Sequence, residues 1–190
     1  MKNIKLAVIA FGVVFATSCN KNKKEEVKET EVEVVKKIVS EKKLTINLSP
    51  KSDSKAEGTA SFKETDGIVT MAAKLTGLTE GKHAIHLHEK ADCSSVDGKS
   101  SGGHWNPTAQ PHGKWGTDTG FHKGDIGNFK VGADGVGKVT LATDQWCIGC
   151  GDDTKNILGK AVIVHQGTDD FTSQPSGAAG NRISCGGIIE

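Results

Sequence analysis

Lys82-His83-Ala84-Ile85-His86-Leu87-His88 reads as one β-strand, and it carries more imidazole than a strand needs. Side chains two positions apart on a strand share a face. Ala84, His86 and His88 therefore lie on one side and His83, Ile85 and Leu87 on the other. Side chains spaced this way start roughly 7 Å apart, from the rise per residue. Two imidazoles at that spacing can converge on one metal ion. His104, His112, His122, Asp125 and His165 follow downstream, so the chain holds the makings of a larger ligand set.

The flanks repeat the short alternating pattern. Leu44 to Leu48 alternates apolar and polar residues, as a half-buried strand does. Glu57 to Lys63 and Ile68 to Leu75 form two more strand candidates, joined by Asp66-Gly67, a strong hairpin signal. Gly77 to Gly81 turns the chain into the histidine strand. Asn128 to Val131, Gly137 to Ala142, Lys160 to His165 and Ile183 to Ile189 complete eight strands. With 24 glycines and no sustained helical period, the expected class is all-β. The expected architecture is an eight-stranded Greek-key β-sandwich or flattened barrel. Two long loops interrupt it, Glu89 to Asp125 and Gln166 to Arg182. Loops of that length in a compact domain are functional or disordered, and the first holds a cysteine, three histidines and Asp125.

The N-terminal part reads differently. Lys2 and Lys5 precede an apolar run from Leu6 to Phe15, too short to span a bilayer, so residues 1–18 are expected to be a secretory leader. Ala16, Thr17 and Ser18 before Cys19 give a loose bacterial lipobox, with Cys19 as the expected lipidation site and membrane anchor. Residues 19–43 are rich in Lys and Glu without Gly or Pro, the composition of a solvated tether. The folded domain is expected over 44–190. A formal net charge of +1 argues against nucleic-acid binding.

The ligand types sort themselves by chemistry. His122 and Asp125 are three apart, so one turn can aim both at one ion, and His104 and His112 share their loop. Three histidines and one carboxylate suit a closed tetrahedral zinc site. His86, His88 and His165 come from strands, and an all-imidazole set suits copper, whose two oxidation states permit one-electron chemistry. His83 faces away from this set and is expected to be structural.

The stretch Gly81 to Glu89 and the motifs Gly103-His104-Trp105-Asn106-Pro107, His122-Lys123-Gly124-Asp125-Ile126-Gly127-Asn128, Val162-Ile163-Val164-His165 and Gly177-Ala178-Ala179-Gly180-Asn181-Arg182 occur in order. Together they resemble exported bacterial copper–zinc superoxide dismutase over about Leu44 to Glu190. The resemblance implies dismutation of superoxide to dioxygen and hydrogen peroxide at a redox-cycling copper beside a zinc. It implies copper ligands His86, His88, His104 and His165, and zinc ligands His104, His112, His122 and Asp125, with His104 as the bridge and proton donor. Asp169 would link a copper-ligand histidine to a zinc-ligand histidine from outside. Arg182 would draw in the anion. Cys93 and Cys185 would pair, tying the first loop to the barrel. The implied role is antioxidant defence in the cell envelope, on a chain lipid-anchored at Cys19 and facing the periplasm or cell surface. A homodimer is left open.

Three features depart from the family pattern. Cys147-x-x-Cys150 sits in an insertion from Trp146 to Asp153, outside any thioredoxin-like setting. A local disulfide is the first expectation there, with metal delivery and free thiols as alternatives. The His112 to His122 spacing is one residue longer than in animal forms, and Trp105 follows His104. Two other functions compete with catalysis: a dismutase-like copper carrier, and a zinc-stabilised sandwich that never loads copper.

Overall fold

The computed structural model describes residues 41–190; the leader, Cys19 and the tether up to residue 40 lie outside the described residues. Eight strands follow in order: β1 (Glu41–Pro50), β2 (Glu57–Thr65), β3 (Ile68–Thr76), β4 (Gly81–His88), β5 (Gly127–Val131), β6 (Gly137–Thr143), β7 (Ala161–His165) and β8 (Arg182–Gly187). One 3-10 turn, Lys99–Ser101, interrupts the first long loop. The strands close into a barrel in the order β1-β2-β3-β6-β5-β4-β7-β8, every pairing antiparallel. The steps from β3 to β6 and from β4 to β7 are the Greek-key crossings. Ser49↔Cys185 and Pro50↔Ser184 close the ring between β1 and β8. The all-β Greek-key expectation is met, as a closed barrel rather than an open sandwich.

The β2–β3 hairpin is as tight as its sequence requires. Thr65 pairs with Ile68, and Asp66 and Gly67 take φ of 50° and 80°. Positive φ at both central residues gives the turn whose twist matches the flanking strands. β1 begins at Glu41, three residues before the expected boundary. Glu41, Lys42 and Lys43 face Thr65, Glu64 and Lys63 in the ladder, and Lys63 meets Glu41 at 2.7 Å. Cross-strand charge pairs and ladder bonds carry this end of the strand, so apolar alternation does not reveal it. β8 ends at Gly187 rather than Ile189. Ile188 turns inward, fully buried, and its N–H donates to Lys160 O at 2.7 Å.

β4 and β7 are the strands that position the site, and both are buried on two faces. Ile85 and Leu87 enter the barrel core with Phe62, Met71, Leu75, Val162 and Val164. Ala161 and Ile163 of β7 point outward, where they pack against Cys185 and Cys93. His86 pairs with Ile163 and His88 with Ala161, so the two histidines share that outer face, covered by the long loops. Covered on both sides, such strands read as continuous apolar runs, and the imidazoles stand out for that reason. A register shift between Val164 and His165 turns the end of β7 beside Arg182. Bulges of this kind re-aim a side chain at a strand end. His83 behaves as expected. Its ring is buried beside Phe129, with Nδ1 2.9 Å from His165 O and Nε2 2.9 Å from Thr79 O.

Candidate metal centre

Among the described residues, two groups of buried side chains could hold a metal ion. One is His86, His88, His104 and His165, the other His104, His112, His122 and Asp125; within each group the donor atoms lie within 4.8 Å of one another. His104 belongs to both. All seven residues singled out in the sequence are therefore brought together, and none is left aside.

The first loop reaches this place because it is laced onto β4. His104 forms an isolated antiparallel bridge with His88. Trp105 N–H donates to Leu87 O at 2.8 Å, and Leu87 N–H donates to Gly124 O at 2.9 Å. A Cβ on Gly124 would stand 2.2 Å from Leu87 O, so only glycine permits this approach. The next residue is Asp125, whose N–H donates to His122 O at 3.0 Å. That turn sets the two side chains side by side.

Five of the six imidazoles have one nitrogen hydrogen-bonded and one without a hydrogen bond, and the sixth, His122, has Nδ1 3.2 Å from Asp125 Oδ1. His86 Nε2–H donates to Asp169 Oδ2 at 2.9 Å, His88 Nδ1–H to Gly102 O at 2.9 Å and His165 Nδ1–H to Gly180 O at 3.3 Å. His112 Nε2–H donates to Asp169 Oδ1 at 2.9 Å. His104 Nδ1 lies 2.8 Å from Asp125 Oδ1. Among the described residues, the buried side-chain atoms with no hydrogen-bond partner are Thr65 Oγ1 and six ring nitrogens. Those six are His86 Nδ1, His88 Nε2, His104 Nε2, His112 Nδ1, His122 Nδ1 and His165 Nε2. His112 Nδ1 and His122 Nδ1 lie 3.0 and 3.2 Å from Asp125 oxygens. The other four face no partner, and an unsatisfied buried polar group costs about 1–3 kcal/mol, a heavy burden without a cation to take their lone pairs. The donor set fits two metal ions.

The electrostatics point the same way. Burial alone would raise the Asp125 carboxyl, but His104, His112 and His122 outweigh it and hold the group ionised, well below the usual carboxylate range. Burial likewise opposes ionisation of Asp169, yet hydrogen bonds from His112 and His86 and from Phe171 N–H keep its pKa low. Burial would lower His112, and the same two carboxylates lift it to about 9. A pocket that holds a proton so firmly also suits a metal cation in the proton's place. Burial pushes His86, His88 and His165 down and His104 to about 4, so these rings are neutral and able to ligate at neutral pH.

The first group opens on a cleft of about 510 Å³. His88, His104 and His165 lie at its floor, and Arg182, Lys99, Glu89 and Asn181 are among its walls. Arg182 is half-buried, and its Nη1 donates to Gly98 O at 2.9 Å and Ser101 Oγ at 3.2 Å. Arg182 therefore anchors the first loop and also faces the cleft. Cys93–Cys185 and Cys147–Cys150 are both disulfides, with Cα atoms 5.8 and 6.0 Å apart. The first fixes the loop that carries Gly98, Ser101 and Gly102.

Three further residues support the site. Gln174 clamps the backbone of His112: its Oε1 accepts His112 N–H and its Nε2 donates to His112 O, both at 2.9 Å. Asn128 makes the matching pair with Asp169, at 2.8 Å in each direction. Gly177 presses so close that a Cβ there would stand 1.8 Å from Asp169 Oδ1. The Gln174 and Asn128 contacts join positions 62 and 41 apart in the chain; Asn128 and Gly177 fall within the motifs quoted above, and Gln174 falls in none.

A Greek-key barrel that buries two metal-ready clusters around one shared imidazole defines a two-metal oxidoreductase. Copper suits the all-histidine group and zinc the group with the carboxylate. The family model for copper/zinc superoxide dismutase matches residues 56–188. Superoxide dismutase [Cu-Zn] 2 of Mesembryanthemum crystallinum is 36% identical over 131 residues, covering 66% of this chain and 81% of that protein. The crystal structure of a SOD-like protein from Bacillus subtilis is 32% identical, with a TM-score of 0.68 over 76% of this chain and 97% of that one. A double mutant of the same protein gives 34% and 0.69. The clock protein EA4 gives 31% identity and a TM-score of 0.66 over 77% of this chain and 94% of that one. The chain belongs to the copper/zinc superoxide dismutase family, and as an enzyme of that type it takes one copper and one zinc.

Proposed function

We propose that the chain dismutes superoxide to dioxygen and hydrogen peroxide in the cell envelope. Copper would be held by His86, His88, His104 and His165, and zinc by His104, His112, His122 and Asp125. When bound, copper supplies the reversible one-electron chemistry that the protein's own side chains lack. The observation that carries the proposal is the set of six buried ring nitrogens without a hydrogen bond, split between two groups that share His104.

The residues divide the remaining work. His104 belongs to both groups, with Nδ1 2.8 Å from Asp125 Oδ1 and Nε2 without a hydrogen bond, which supports it as the bridging ring. His104 would be held in place as a ligand shared by both groups, and its Nε2 would hold and release a proton for the departing peroxide. Asp169 sets the tautomer of His86 and His112 by accepting from both Nε2–H groups, which leaves each Nδ1 free to ligate. Arg182, always cationic and facing the cleft, attracts the anion and orients it. A small anion offers little surface, so charge has to supply most of the recognition. Export is supported by the two disulfides and by the leader pattern before Cys19, the proposed lipid anchor.

Metal analysis combined with a superoxide-consumption assay tests the proposal. One copper and one zinc per chain with fast turnover is the expected result. Bound copper without turnover would refute it in favour of a copper carrier. For the anchor, Cys19→Ser should move the protein from the membrane fraction to the soluble fraction; unchanged partition would remove Cys19 from the account.

A further inference from the structure

The Cys-x-x-Cys insertion plays no part in the chemistry above, yet it lies against the zinc side of the site. Between β6 and β7 the chain crosses to the turn that carries His122 and Asp125. There the indole Nε1–H of Trp146 donates to Lys123 O at 2.8 Å. Trp146 is fully buried and meets Trp115 edge-on at 5.6 Å, and Trp115 in turn packs on Phe121 at 5.0 Å. Phe121 immediately precedes His122. Lys123 Nζ also donates to Gln145 Oε1.

The turn is also tied to β4 and the first loop. Gly124 O accepts from Leu87 N–H on β4, Gly124 N–H donates to Trp105 O, and Gly113 N–H donates to Asp125 Oδ2. The indole adds a bond from the segment after β6, at the Lys123 carbonyl. The platform behind the indole is itself anchored. Cys147 N–H donates to Lys155 O, and Cys147 O accepts from Ile157 N–H. Ile148 N–H donates to Glu64 Oε2 on β2, and Lys42 Nζ on β1 donates to Ile148 O. The Cys147–Cys150 disulfide closes the segment directly after Trp146.

From this geometry we propose that Trp146 is a positioning residue for the zinc-ligand turn His122–Asp125, and that the Cys147–Cys150 disulfide serves to hold Trp146 in place. The inference rests on the assignment of His122 and Asp125 as zinc ligands. The motif then acts as a mechanical brace, and needs neither redox turnover nor metal delivery.

Metal release from the loaded protein tests it, with a chromogenic chelator for zinc and a separate copper-selective chelator. Trp146→Phe keeps a ring and deletes one donor. It should release zinc about tenfold faster, the scale of one hydrogen bond's net worth. Copper release should be accelerated much less than zinc release, because His86, His88 and His165 stand on β4 and β7 and only His104 is shared. Cys147→Ser/Cys150→Ser keeps the indole and loosens its support, so it should also release zinc faster, by a smaller factor. Zinc release at the parent rate in Trp146→Phe would overturn the positioning role. Equal acceleration of copper and zinc would overturn it too, since that marks general loosening. Parent-rate zinc release in the double serine variant would overturn the disulfide's share. His122→Ala separates the two layers: if it keeps zinc at the parent rate, the ligand assignment itself has failed.

Discussion

Gly177→Ala puts the joint between the two metal groups under direct test. Gly177 has φ +67°, and an added Cβ would lie 1.8 Å from Asp169 Oδ1 and 2.7 Å from His112 Nε2. The left-handed backbone alone costs an alanine about 1–2 kcal/mol. The overlap is the larger matter. A carbon and an oxygen need about 3.2 Å or more between them, so the carboxylate has to retreat by about 1 Å or more. Its bonds to His86 and His112 are 2.9 Å long, and a shift of that size takes both beyond hydrogen-bonding range. Losing an outer acceptor of a ligating histidine typically costs about 10–100-fold in metal affinity, and here one carboxylate serves a histidine in each group. Affinity for both metals should fall by at least about tenfold. Chelator competition at neutral pH measures both constants on one sample. Gly67→Ala is the control: it has φ +80° and nothing within 4 Å of the added carbon. It should lose a similar increment of thermal stability and keep both affinities. Parent-level affinities in Gly177→Ala would refute the role given to Asp169.

Three further outcomes follow from the same geometry. His86→Ala should abolish tight copper binding and activity while retaining zinc, because His86 belongs to the first group only; elemental analysis after dialysis decides, and retained activity would overturn the assignment. Arg182→Gln should lower kcat/KM by about tenfold or more and flatten its dependence on ionic strength, with Arg182→Lys keeping part of the dependence, as pulse-generated superoxide would reveal. The metal-stripped protein should be most stable near neutral pH. Burial holds the pKa of His104 at about 4 and lowers His86, His88 and His165 from 6.5, so unfolding takes up protons between those values and stability falls as pH drops from 6.5 toward 4. His112, lifted to about 9, adds stability that is complete below 6.5 and lost as pH rises through 9. Thermal unfolding across pH with chelator present checks both limbs; rising stability from pH 6.5 to 4 would contradict the first.

All eight strands and all seven ligand candidates were legible because each is a local signal. Alternation marks a half-buried strand, Asp66-Gly67 marks its turn, and imidazoles in an apolar strand stand out. The ends of β1 and β8 were less legible. Glu41 to Lys43 are held by cross-strand charges, and Ile188 is buried after leaving the strand. The supporting contacts were the least legible. Gln174 reaches back to His112 and Trp146 reaches back to Lys123, and nothing local distinguishes that glutamine or that indole from others. A pairwise tertiary contact leaves no periodic trace. The Cys147-x-x-Cys150 motif shows the converse: its local bond was expected and forms, but its meaning depends on what lies beside Trp146.

Asp169 touches one histidine of each group with its two oxygens, Oδ2 on His86 and Oδ1 on His112. The carboxylate is rigid and planar, so whatever fixes one ring also fixes the acceptor for the other. Loading of the two metals is then a linked equilibrium. Any factor by which bound zinc tightens copper must equal the factor by which bound copper tightens zinc. Surroundings poor in one metal would on this account yield chains weak in both, and half-filled chains would be scarcer than independent binding allows.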